Sequence, residues 1–144
     1  MLTVALADEL RLAGLLWTPA PGDRFVLPDR GMDHEVFHLS DMTVEVHEMP
    51  RGGRVLGFNG TTEWALDAVQ LPDALWLPTE GQLRELLGAR FRRLEAPNGG
   101  PASRHCAVVV DEDGAEQSYE SADAECAYAR ALLAALRSRT ARGA

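Results

Sequence analysis

From residue 121 to residue 138 the chain meets neither glycine nor proline, and Cys126, Ala129, Leu133 and Leu136 recur on one stripe at helical spacing. This run predicts a long C-terminal helix, capped by Ser121 and ending near Ser138, with the tail RTARGA frayed. It constrains the fold more than any other feature, because a helix of that length must lay its apolar stripe against something broad. The rest of the chain supplies only short pieces to build that surface. Of the thirteen glycines and eight prolines, all but Gly143 lie upstream and cut the chain into brief segments.

Those segments read as follows. Thr3 caps a first helix with Leu6, Leu10 and Ala13 on one face, and Gly14 is placed to end it near Leu15. The prolines of WTPAPGD keep residues 17–23 out of a helix, and extended segments follow at 24–27, 35–39 and 42–49. In the last of these Met42, Val44 and Val46 alternate with Thr43, Glu45 and His47, the pattern of a half-solvated strand. Arg51-Gly52-Gly53 loops into a strand at 54–58, which predicts a hairpin. In GFNGTTEWALD, Thr61 or Thr62 caps a helix with Glu63 in its first turn and Trp64, Ala65, Ala68 and Val69 as its apolar face, closed by Pro72.

A short apolar piece at 74–77 leads into Thr79-Glu80-Gly81-Gln82, whose capping-box spacing opens a helix with Leu83, Leu86 and Leu87 inward and Gly88 beyond its end. A strand at 90–96 follows, in which Arg92-Arg93 marks a bulge or an edge. Strands at 105–110 and 115–119 flank the turn DEDG. Hairpins with interspersed helices, and no regular alternation of strand and helix, predict an α+β fold: one domain over residues 1–138, a mostly antiparallel sheet with helices covering one face, and a tail at 139–144.

Charge narrows the functional classes. The net charge is −8, and residues 1–80 carry it, with five arginines against thirteen acids, while residues 81–144 hold nine of each. Phosphate neutralisation requires clustered positive charge, so no nucleic-acid partner is expected. Every basic residue is arginine, and the absence of lysine removes lysine-dependent chemistry and the standard phosphate-binding loop. No segment reaches the roughly 18 apolar residues of a membrane span. The opening MLTVALADELRLAG, with Asp8 and Glu9, lacks the features of a secretion signal, so a cytoplasmic protein without a membrane partner is expected. Cys106 and Cys126 show no paired spacing and read as reduced thiols.

The candidate sites are few. His34 and His38, four apart on a strand, share a face, and His47 with Glu45 on a paired strand would complete a set for zinc or a related metal. Solvated imidazoles on a sheet face are the competing explanation, and no cofactor is expected. His105 and Cys106 point to opposite faces of a strand and cannot act as a pair, while Glu63 and Asp67 read as an ordinary outer helical face. Arg84, Arg90, Arg92 and Arg93, with Arg137 and Arg139, form the single basic region, interleaved with glutamates. Trp17, Trp64 and Trp76 sit at element boundaries. They either roof the core, with their indole N–H groups bonded to loop carbonyls, or, where exposed, anchor a protein interface, for which Trp64 and Trp76 are the candidates.

The pattern Trp17-x-Pro19-x-x-Gly22-Asp23-x-Phe25, then FNGTTEWALD, Trp76-Leu77-Pro78 and AECAYARALLAAL is similar to small bacterial proteins common in actinobacteria, over nearly the whole chain. Many of those carry a pilus-assembly label, but the ATPases behind that label need a lysine-bearing nucleotide loop that this chain lacks, so the resemblance implies no activity. The expected function is therefore a non-enzymatic module that binds a protein partner or a second copy of itself. The alternative is a small metal- or ligand-binding enzyme built on the His/Glu set.

Overall fold

The computed structural model describes residues 1–28, 32–39, 44–48, 50, 53–58, 68–96, 100 and 103–143, of which 32–34, 44–47, 54–58 and 68–69 are described by backbone alone. The fold is α+β, its strand pairs are all antiparallel among the described residues, and a long helix closes the chain. Two compact units are present, one of residues 1–16 with 78–144 and one of residues 17–77.

In the first unit, helix α1 spans Val4–Leu12, and the Thr3 hydroxyl accepts the Leu6 N–H at 3.3 Å. Its end is a Schellman motif: Leu15 N–H reaches the Leu10 carbonyl, Gly14 N–H reaches that of Arg11, and Gly14 adopts φ +99°. The glycine therefore does stop the helix, with Leu12 as its last residue. Helix α2, Glu80–Leu87, opens on the expected capping box, with the Thr79 N–H on Gln82 Oε1 at 2.9 Å and the Gln82 N–H on Thr79 Oγ1 at 3.4 Å. Leu83 and Leu87 are buried, four apart and so on one face, whereas Leu86, expected inward, is exposed. Gly88 caps the C-terminus at φ +55°.

Three strands form the sheet of this unit in the order β7-β8-β9: β7 Phe91–Glu95, β8 His105–Val110 and β9 Glu116–Ser121. The register slips between Phe91 and Arg93, so Arg92 sits at a bulge on a strand that is also a sheet edge. The Asp111 carboxylate accepts the N–H groups of Asp113 at 3.0 Å and Ala115 at 2.9 Å, closing the turn into β9.

Helix α3 spans Ala124–Arg142 and packs on α1, α2, β8 and β9. Its cap is Asp123, which accepts the Cys126 N–H at 3.2 Å, and not Ser121. Ser121 is used as the last residue of β9, opposite His105, and the carboxylate two positions on meets the positive end of the helix dipole. Asp123 also pairs with the α-ammonium of Met1, which, ahead of the Cys126 bond, holds its carboxyl below the usual range. Residues 126–129 and 131–133 are buried around most of the circumference, broader than one stripe, because the alanines let several elements approach closely. The helix continues past residue 138, so the expected frayed tail is instead helical to Arg142, where Arg142 pairs with Glu112 and Arg137 with Glu9 at 2.9 Å.

In the second unit, β1 Arg24–Leu27 lies between β2 Met32–His38 and β6 Leu75–Trp76, with Phe25 opposite both Phe37 and Trp76. Phe25, Leu27, Leu39 and Ala74 form its core, with Trp17, Phe37 and Leu71 against them. The predicted hairpin is present as β3 Val44–Glu48 with β4 Arg54–Phe58, in register at Val46 and Leu56. A third strand, β5 Ala68–Gln70, pairs with β4 through Leu56 and Val69. Ala68 and Val69 were expected on a helix; strand pairing with β4 overrides the helical spacing, and the remainder of that expected helix lies outside the described residues. Pro72 follows in a short 3₁₀ turn, Leu71–Asp73, where its missing N–H removes no ladder bond.

Candidate functional site

The tryptophan motifs come together in the second unit. Two prolines and a glycine bend residues 17–23 into a closed loop whose centre is the Asp23 carboxylate, 2 % exposed. One of its oxygens accepts the Trp17 indole N–H at 2.8 Å and the Ala20 backbone N–H at 2.9 Å, while Asp23 N–H returns to the Ala20 carbonyl at 3.1 Å. Gly22, at φ +87°, supplies the left-handed turn, and its N–H meets the Leu39 carbonyl at 2.7 Å. A buried carboxylate is costly unless hydrogen-bonded, and this loop is built around satisfying one.

The loop presents the Trp17 ring to Trp76, stacked at 6.3 Å between centroids with 8° between planes, and to Phe25 at 5.9 Å, which in turn stacks on Phe37 at 5.5 Å. The Leu77 N–H on the Arg24 carbonyl at 2.8 Å and the Arg24 Nε–H on the Leu77 carbonyl at 3.3 Å hold the chain beside Trp76. Trp17 and Trp76 are both half-buried. The indole N–H of Trp17 bonds a carboxylate and not a loop carbonyl, and the buried Trp76 Nε1 has no hydrogen-bond partner among the described residues. Trp64 lies outside the described residues.

Of the candidate metal ligands, His34 and His38 lie on β2, whose partner is β1, with His38 opposite Arg24. Glu45 and His47 lie on β3, opposite Gly57 and Val55 of β4. The two pairs thus belong to different ladders among the described residues, whereas a strand paired with that of His34 and His38 was expected to carry Glu45 and His47. Of the four, His38 alone has a described side chain, and it is exposed. Among the described residues no three His, Cys, Asp or Glu side chains converge to hold a metal. Glu63 and Asp67 lie outside the described residues.

Among the described residues, three arginines of the basic region, Arg90, Arg93 and Arg137, pair with acids. Arg90 pairs with Glu112 at 3.2 Å, and Arg93 spans the sheet to Glu116 at 3.0 Å and reaches Glu95 at 2.7 Å. Those carboxylates, Glu116 first, raise the pKa of Arg93, and Arg93 in turn lowers that of Glu116. Arg84 lies over the Phe91 ring at 5.2 Å, beside the Phe91–Tyr128 contact at 5.4 Å. Both cysteines are free, Cys126 buried and Cys106 half-buried. His105 Nδ1 is buried without a partner among the described residues.

Asp23 is the residue that sequence reasoning passed over. Its signal was the spacing Trp17-x-Pro19-x-x-Gly22-Asp23, an acid next to a glycine turn ahead of a buried strand. Two apolar side chains stand out on the surface of the first unit, Leu12 at 74 % and Leu16 at 85 % exposed. The chain matches no protein-family model, no curated protein and no solved structure. No helix among the described residues is long and apolar enough to cross a membrane.

Proposed function

We propose that this chain is a non-enzymatic cytoplasmic module that acts by binding protein, either a second copy of itself or another chain. The observation that carries the reading is Trp76. Its ring is half-buried at one end of an aromatic stack and lies flat against Trp17, so part of a broad, rigid apolar surface stays open to solvent. Such a ring, held in place by its neighbour, is the kind of anchor on which interfaces depend. Trp64 is proposed as the second contact residue. Pairing of Arg90, Arg93, Arg137 and Arg142 with acids supports the expectation that no nucleic acid is bound.

The test uses the unaltered chain beside its Trp76→Phe variant. Sedimentation over a rising concentration series is expected to show mass above the monomer for the unaltered chain and less for the variant, with tryptophan emission of the unaltered chain becoming protected from acrylamide as association proceeds. A chain that stays monomeric at millimolar concentration, with emission shielded from quencher throughout, overturns the reading. A stoichiometric metal in protein purified without a histidine tag would instead favour the His34, His38, His47 and Glu45 alternative.

A further inference from the structure

We draw no further inference here: the strongest candidate, the shallow apolar groove between the last turns of α1 and α3 lined by Leu12, Ala13, Thr140 and Ala141, is an unpartnered face, and nothing in the structure shows what covers it.

Discussion

Asp23 shows how one side chain can organise a segment that has no regular structure. Its carboxylate gathers two part-buried N–H donors, the Trp17 indole and the Ala20 backbone. Asp23→Ala leaves both unsatisfied and is expected to cost about 2–4 kcal/mol in denaturant unfolding, with altered Trp17 fluorescence. Asp23→Asn keeps an acceptor oxygen and is expected to lose less than half of that. Trp76 behaves in the opposite sense. Trp76→Phe removes a buried donor with no partner among the described residues and keeps a ring against Trp17, so stability is expected to stay within about 1 kcal/mol of the parent chain. If association falls while stability holds, Trp76 serves a partner; if stability falls by several kcal/mol, its role lies in the core alone.

Elements in this protein start and stop on local chemistry but are held by distant partners. The α2 capping box involves only Thr79 and Gln82, and Thr79→Ala is expected to cost about 1 kcal/mol, read as a lower midpoint in urea. The last turn of α3 is different. It ends in arginines, of which Arg142 pairs with Glu112, a residue of the turn between β8 and β9. Glu112 also takes Arg90, so one carboxylate ties three places together. Glu112→Gln is expected to leave global stability within about 1 kcal/mol, since exposed pairs contribute little. Amide hydrogen exchange in residues 139–142 should nonetheless rise severalfold, and unchanged protection there would show that the turn holds without the pair.

On the scale of the molecule, acid is the informative perturbation. Asp111 has a carboxyl pKa below the usual range because it accepts the Ala115 N–H, then the Gln117 side chain and further backbone N–H groups of its own turn. Glu116 is lowered chiefly by its bonds to Arg93. A carboxyl with a lowered folded pKa adds stability that is present above its unfolded pKa and is lost as pH falls through the folded one. These carboxyls are therefore expected to leave stability level between the ordinary carboxylate range near 4 and neutral pH and to make it decline below that range. Asp111→Asn combined with Glu116→Gln should shallow that decline, measured as unfolding midpoint against pH. A decline of unchanged steepness would place the acid sensitivity in other carboxylates.

Most of what was legible before the structure depended on neighbours within four residues. Thr3, the Thr79–Gln82 box, Gly14, Gly88 and the DEDG turn bond to groups so close in the chain that residue type and spacing suffice to place them. The same holds for β1, β4 and β8, short extended runs bounded by turn-forming residues such as Gly22, Pro28, Gly53 and the DEDG segment. What tertiary structure alone decided was partnership. Among the described residues β2 joins β1 and not β3, Ala68–Gln70 extends because β4 is there to receive it, Asp123 caps α3 because β9 has already taken Ser121, and Arg137 and Arg142 of α3 meet acids on other elements. Each of these choices compares contacts between residues far apart in the chain, and local spacing carries no term for them. The indole of Trp17 found a buried carboxylate for the same reason: only the folded loop brings Asp23 within hydrogen-bonding reach.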